Sequence, residues 1–170
     1  MARSGFKNRI LARIYTAFPA LAAAWGKSLA MDRDAIPWTE ARKPLREATL
    51  ALVTTGGIHL KTDRPFDMSD PDGDPSYREI PVAIPADLLT ITHDYYDHRD
   101  ADRDPELVFP ARCLEELVAR GALDALHPVA YGLMGHIEGP HIATLRERTA
   151  PEIARRLATA NVDYALLVPA

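Results

Sequence analysis

Two short runs, uncharged but for Asp163 at the head of the second, constrain the fold most: "ATLALVTTGG" at 48–57 and "DYALLV" at 163–168, inside the closing stretch "NVDYALLVPA". A strand buried on both faces reads as a continuous apolar run rather than as an alternation, and such strands belong to sheets covered by helices. The Thr-Thr-Gly-Gly that ends the first run is strand-to-loop punctuation. Between the two lie "HPVAYGLMG" at 127–135, a further strand ending in glycine, and two helical patterns. In "FPARCLEELVARG", Leu114, Leu117 and Val118 share a face, Gly121 terminates, and Cys113 falls on the first turn as a packing residue. In "TAPEIARRLATAN", Thr149 and Glu152 have the spacing of a capping box, Ile153 and Leu157 form the buried face, and Asn161 is a left-handed cap. The series strand, helix, strand, helix, strand predicts an α/β fold: a mostly parallel, Rossmann-like sheet with helices packed on it. The last strand closes the chain with only Pro169 and Ala170 behind it. In open α/β sheets chemistry sits just past the carboxyl ends of the strands, so the chain reads either as a finished domain whose last strand closes the sheet or as an incomplete one cut where its reactive residue belongs.

Length and composition narrow the function classes. A chain of 170 residues with 47% hydrophobic and 26% charged content supports one globular core. A net charge of −4 gives no basic field to draw nucleic acid or acidic lipid. The single cysteine, Cys113, excludes an internal disulfide and any multi-cysteine zinc site, and a reducing, cytoplasmic setting is expected. The first thirty residues have the basic start, apolar middle and small-residue end of a secretory signal. Arg13 and Pro19 interrupt that run, and Ile10, Leu11, Ile14, Phe18 and Leu21 recur at helical spacing, which favours an amphipathic packing helix. The run also falls short of the ~20 apolar residues that span a bilayer. The expected organisation is an N-terminal helix and arm over 1–36 and an α/β domain over 37–170. Pro37 and Pro44 keep the connector out of helix, and Trp38 anchors it to the core.

Polar residues crowd after several strand ends. "DLLTITHDYYDH" at 87–98 alternates briefly and then breaks into His93, Asp94, Tyr95, Asp97 and His98, with Asp100, Asp102 and Asp104 beyond. Carboxylates suit hard cations and imidazoles suit zinc, but a five-residue His–His spacing matches no metal signature. Local pairing of Asp with Arg is the competing reading. "SDPDGDPSYRE" puts Asp70, Asp72, Gly73 and Glu79 at calcium-loop positions, yet Met68 stands where the first ligand belongs. A proline-pinned turn loop is therefore preferred. Thr54, Thr55, Gly56 and Gly57, followed by His59, offer backbone N–H groups and hydroxyls to a carboxylate or phosphate, without a dinucleotide or P-loop fingerprint. His136 and His141 stand in the glycine-rich "GLMGHIEGPH". The G-x-S-x-G elbow of a serine hydrolase is absent.

The strings "WTEARKPLREATLALVTTGGIHLKTDRPFDMSDPDGDPSYREIP", "LTITHDYYDHRDADRDPELVFP", "YGLMG" and "TAPEIARRLATANVDYALLVPA" resemble selenoprotein B of the glycine/sarcosine/betaine reductase and D-proline reductase family, from about Trp38 to the end. The resemblance implies an oxidoreductase component that cleaves a C–N bond reductively. It implies a selenocysteine, or cysteine in some relatives, directly after a strand like "VDYALLVPA", and hence after Ala170. It further implies a pyruvoyl-bearing partner subunit that holds the amine and a thiol or selenol redox partner. A selenolate suits attack for the reason a thiolate does: the anion is the nucleophile, and a low pKa keeps it populated.

Under that resemblance Thr54, Thr55, Gly56, Gly57, His93, Tyr95 and Asp97 become candidate substrate-binding residues, and His59 and His98 candidate supporting groups for the anion or the leaving amine. The 170-residue chain is expected to be inactive alone and open to self-association through its last strand. Two alternatives stay open: a non-catalytic accessory module of the same fold, and a metal-dependent enzyme using the Asp/His cluster at 93–104.

Overall fold

The computed structural model describes residues 2–20 and 39–170. The chain divides into two compact units, Met1–Arg42 with Asp94–Asp97, and Lys43–His93 with His98–Ala170. In the first, helix α1 spans Ala2–Ala17. Its turns are closed by main-chain bonds such as Phe18 N–H to Ile14 O, and by the Thr16 hydroxyl donating to Ala12 O at 3.0 Å. The sequence predicts a packing face here, but Ile10, Leu11, Ile14 and Phe18 are all exposed. Apolar and basic residues are poorly segregated around this helix, so no clean stripe exists to bury. Leu21, Pro37 and Trp38 lie outside the described residues. Among the described residues no helix is long and apolar enough to cross a membrane.

The second unit is built on strand β1, Thr49–Thr54. Its two edges pair differently. Along one edge it runs parallel to β7, Tyr164–Val168, in unbroken register from Leu50 opposite Tyr164 to Thr54 opposite Val168. Along the other it meets β5, Ala125–Leu126, and then β6, Val129–Leu133, both parallel. Strand β3, Tyr77–Pro81, pairs antiparallel with β6 at the far edge. A separate antiparallel pair is formed by β2, Ile58–Leu60, and β4, Leu89–Ile91. The short helix α2 spans Arg99–Arg103 and α3 spans Ala111–Ala119. Helix α4, His141–Thr144, passes through a π-turn at Leu145–Thr149 into α5, Ala150–Thr159.

Helices cover both faces of the sheet. On one, Leu52, Ile80 and Ala130 pack with Val108, Phe109, Ala111 and Leu114; on the other, Ala51, Val53, Tyr131 and Leu133 pack with Ile153 and Leu157 of α5. The α/β architecture with a mostly parallel sheet thus agrees with expectation, with the following differences. The proline-rich stretch after β2 is not all loop, because Tyr77–Pro81 adds an antiparallel strand whose terminal Pro81 sits where a strand tolerates proline. Only Leu89–Ile91 of the 87–98 segment is strand, and it joins β2 rather than the main sheet. The Thr149–Glu152 capping box does not form. Thr149 lies inside a continuous helical path and donates its hydroxyl to Pro75 O at 2.8 Å, while Glu152 accepts from Tyr77 at 2.8 Å. Pro151, which has no N–H to give the preceding turn, accompanies the π-turn. Leu117 and Cys113 of α3 face outward, leaving Ala111 and Leu114 as the buried residues of that helix. Asn161 does adopt the left-handed conformation, at φ 55°.

Beside α5 the outer side of β7 is open. Leu167 is 68% exposed. With Val53, Leu133, Ile153, Leu157 and Pro169 it lines an apolar groove of about 570 Å³.

The closest packing in the sheet lies at Gly132, where a Cβ would stand 2.4 Å from the carbonyl oxygen of Ile58. A carbonyl cannot rotate away as a flexible side chain can. Gly132→Ala is expected to destabilise the unit by about 1–3 kcal/mol, the usual cost of overpacking. A shift of the urea midpoint to lower concentration at constant slope checks this, and an unchanged midpoint contradicts the approach of β2 to β6.

Candidate functional site

Strands β1, β6 and β7 are parallel, so their carboxyl ends lie on one edge of the sheet. The residues that follow are drawn together by main-chain bonds. Thr55 N–H donates to Val168 O at 3.0 Å and Gly57 N–H to Leu133 O at 2.9 Å, tying the β1 exit to the ends of β7 and β6. Gly57 O in turn accepts from Thr92 N–H at 2.9 Å, which brings in the exit of β4. Two glycines make this convergence possible. Gly57 has φ +67° and would place a Cβ 2.6 Å from Thr92 O; Gly135, after β6, has φ +91° and would place one 2.4 Å from Thr55 O. Both the left-handed backbone and the absent side chain are required there.

Of the sequence-predicted site residues, this edge gathers Thr54, Thr55, Gly56, Gly57 and His93. The Cβ of His93 is 3.0 Å from where a Gly57 Cβ would stand, and its side chain is buried. Gly56 packs against Val108. The expected cradle of N–H groups does not face outward. Thr55 and Gly57 donate to strand ends, and Gly56 N–H donates to the buried hydroxyl of Thr54 at 3.2 Å. The turn is stitched into the sheet instead. Tyr95 and Asp97 belong to the other unit.

His59 sits on β2 with 1% of its surface exposed. Its Nδ1 is 2.7 Å from Leu60 O, and its Nε2 is 2.8 Å from the Thr92 hydroxyl. A carbonyl oxygen only accepts, so Nδ1 carries a proton and a neutral ring accepts the Thr92 hydroxyl at Nε2. The ring stands edge-on to Phe66, with centroids 5.7 Å apart. Both nitrogens are therefore engaged, Nδ1 within β2 and Nε2 across to the exit of β4. His98 differs: it precedes α2, is partly exposed, and places Nδ1 2.8 Å from Asp102 Oδ2. Elsewhere in the 93–104 stretch Asp100 pairs with Arg103, and Asp104 accepts from the N–H of Glu106 to cap the following turn. Among the described residues no group of three or more His, Cys, Asp or Glu is placed to hold a metal ion.

Sequence reasoning does not single out Thr92 or Gly135 as parts of this edge. The nearest signal was the glycine closing "YGLMG", which marked a turn without saying what the turn must admit. Thr92→Val keeps the shape but removes the hydroxyl partner of buried His59. The expected cost is about 1–3 kcal/mol, the penalty for an unsatisfied buried polar group. Equilibrium urea unfolding measures it, and a loss below about 0.5 kcal/mol contradicts the assigned bond.

A second polar concentration, the loop between β2 and β3, lines an open cleft with Arg64, Asp67, Asp70, Asp74, Arg78 and His141. The calcium-like spacing resolves into local turns. Asp70 accepts from His141 Nε2 at 3.0 Å and from Asp72 N–H at 2.9 Å, while Glu79 leaves the loop on β3 and pairs with Arg156 at 3.0 Å. The His141 bond holds the Asp70 carboxyl below the usual range, and the Ser69 hydroxyl does the same for Asp67. At Asp74 burial pushes upward. The Ser76 hydroxyl, the N–H groups of Asp67 and Ser76, and Arg78 outweigh it, so this carboxyl is also lowered. A depressed folded pKa contributes stability above the unfolded value of about 3.9, and that stability is lost as pH falls through the lower folded value. Asp74→Asn is thus expected to lower the urea midpoint near pH 6 and to converge on the parent at about pH 2, where the carboxylates are protonated. Parallel pH–midpoint curves contradict this assignment.

The sequence matches the family described as glycine/sarcosine/betaine reductase selenoprotein B over residues 26–170. It is 37% identical to D-proline reductase subunit gamma of Acetoanaerobium sticklandii over 130 residues, covering 76% of this chain and 52% of that protein. It is 31% identical to glycine reductase complex component B subunit gamma of Carboxydothermus hydrogenoformans over 138 residues, covering 79% of this chain and 31% of that protein. The subunit of the same description from Symbiobacterium thermophilum matches at the same identity and coverage. The chain therefore spans about half the length of the first of these relatives and about a third of the others. No solved structure matches.

Proposed function

The chain belongs to the glycine/sarcosine/betaine reductase selenoprotein B family, and from that membership we propose that it forms the N-terminal part of a B-type reductase subunit. The complex it serves cleaves the C–N bond of a glycine-, sarcosine-, betaine- or D-proline-like amine reductively. The observation that carries this reading is the family match, which takes in every strand of the sheet and runs through Ala170. In this reading a selenocysteine or cysteine follows Ala170. Its anion bonds the substrate carbon as the C–N bond breaks, and the nitrogen leaves with the electron pair and takes a proton; a dithiol donor then cleaves the new carbon–selenium or carbon–sulfur bond, the carbon takes a proton, the selenolate or thiolate is released, and the dithiol becomes a disulfide.

The chain's own residues bind and orient. The Thr54–Gly57 turn has its N–H groups tied to the sheet, so a substrate carboxylate would be recognised by the His93 side chain at this edge or by a partner. In this reading His98, steadied by Asp102, handles the proton, while His59 supports the frame through its bonds to Leu60 and Thr92. A pyruvoyl-bearing subunit that presents the amine and a thiol or selenol redox protein complete the proposed set of partners. In this reading the selenocysteine and the pyruvoyl group are supplied from outside the 170 residues.

Two measurements test the reading. The message past codon 170 should show UGA followed by an open frame and a hairpin able to recode it; UAA or UAG without a continuing frame overturns it in favour of an accessory module. The purified 170-residue chain, supplied with amine and dithiol, should release no product, and substrate-dependent release contradicts the assignment.

A further inference from the structure

Past Val168 the ladder between β7 and β1 leaves its ordinary pattern: Pro169 faces the other edge of β7, and Ala170 N–H, the next donor toward β1, goes to the Thr55 hydroxyl rather than to Thr55 O. Thr55 bonds on both sides of the proline. Its N–H donates to Val168 O at 3.0 Å, the last carbonyl before the proline, and its Oγ1 accepts from Ala170 N–H at 3.2 Å, the first donor after it. One residue thus brackets Pro169, whose ring fixes its own φ near −65°. With both flanking peptide groups held, the direction of the chain at Ala170 is set. The next Cα is then confined to a sphere of about 3.8 Å around that of Ala170.

Thr55 is itself immobilised. Gly135 approaches so closely that a Cβ there would stand 2.4 Å from Thr55 O and 3.2 Å from its Cβ. The adjoining Gly57 N–H is tied to Leu133 O. The residue that grips the exit of β7 is therefore backed by the exit of β6. Its hydroxyl does something no neighbour duplicates among the described hydrogen bonds: it reaches past the end of the ladder.

We propose that Thr55 is a positioning residue, whose hydroxyl anchors the Ala170 amide and so fixes where the side chain following Ala170 emerges over the carboxyl edge of the sheet. The importance of that position rests on the functional reading above; the anchoring does not. An acceptor oxygen is what the role requires, so serine should replace threonine and the nearly isosteric valine should not.

The test compares the parent, Thr55→Val and Thr55→Ser. In the 170-residue chain, amide exchange at Ala170 followed by NMR should be at least about threefold faster in T55V than in the parent, and restored in T55S. The Gly57 amide, bonded to Leu133, serves as the control for an intact turn. Equal Ala170 exchange in all three overturns the proposal. If T55V loses the Gly57 control as well, the T55S arm decides: an Ala170 amide as unprotected as in T55V, with Gly57 intact, overturns it. In the subunit carrying cysteine directly after Ala170, assembled with its pyruvoyl partner, T55V should lower kcat about tenfold at unchanged KM, and T55S should restore it. Parent-like kcat in T55V overturns the positioning role. If that parent assembly shows no turnover, the reductase reading falls while the amide result still decides the anchor.

Discussion

The structure depends on β1 being hydrogen-bonded along both edges and covered on both faces. Ala51 and Leu52 lie fully buried on opposite faces of the sheet, each in a different apolar cluster. Only an uncharged sequence satisfies that position, since a charge there would need a partner the sheet does not provide. At the amino end the strand is secured by Asp163. This residue accepts from Thr49 N–H at 3.0 Å and from Lys43 Nζ at 3.0 Å, and the Lys43 bond holds its carboxyl below the usual range. At the carboxyl end the strand is secured by Thr55 and Gly57. Its register with β7 is fixed at both limits, so the last strand cannot slip by one residue without turning its buried set outward.

From that centre the remaining pieces are attached by fewer interactions. β3 is held to α5 by a polar cluster as well as by its ladder. Tyr77 donates to Glu152, Arg156 reaches both Glu152 and Glu79, and burial together with the Glu152 bond pushes the Tyr77 phenol up to about 12. Arg156 is largely exposed, so its ion pairs orient more than they stabilise. The T-shaped contact of Tyr77 with Tyr131, at 5.6 Å between centroids, is the apolar part of the same junction. This junction takes the place of a capping box. Thr149 and Glu152 have the right spacing, yet each finds a partner in or beside β3 that a local cap would have excluded.

Legibility in the sequence followed the range of the interactions. β1, β7, the helices over 111–119 and 150–159, and the cap at Asn161 could be read because each rests on local pattern: an uncharged run, a 3.6-residue stripe, a left-handed residue at a helix end. β3 could not, because its residues "YREIP" carry two charges and a proline, and it is strand only through its edge position against β6. The candidate site was half legible. The Thr-Thr-Gly-Gly turn announced itself, and the parallel topology implied that other strand ends would meet it. That its N–H groups would be bonded to Val168 and Leu133 was not deducible, since those partners lie more than seventy residues away in the chain. For His59 the sequence shows its place beside the turn, while the bond of its Nε2 to Thr92, 33 residues on, comes only with the fold.

These occupied donors bear on how such an edge can contribute to chemistry. An anion cradle works by leaving N–H groups unpaired until a ligand arrives; here the turn has given its N–H groups to the sheet, gaining rigidity and losing that capacity. What remains at the edge is a set of strand exits locked against one another through Thr55, Gly57 and Gly135. Rigid exits contribute to catalysis through orientation, where holding a reacting group in place is worth more than any single weak contact to it. Under the proposed function such an edge would present a nucleophile delivered by a strand, and the acid–base and electrophilic work would fall to groups outside the turn. The presence of a hydroxyl rather than a charged group at the bracketing position fits that division, because Thr55 can accept the Ala170 N–H without drawing a counter-charge toward the point where an anion would stand.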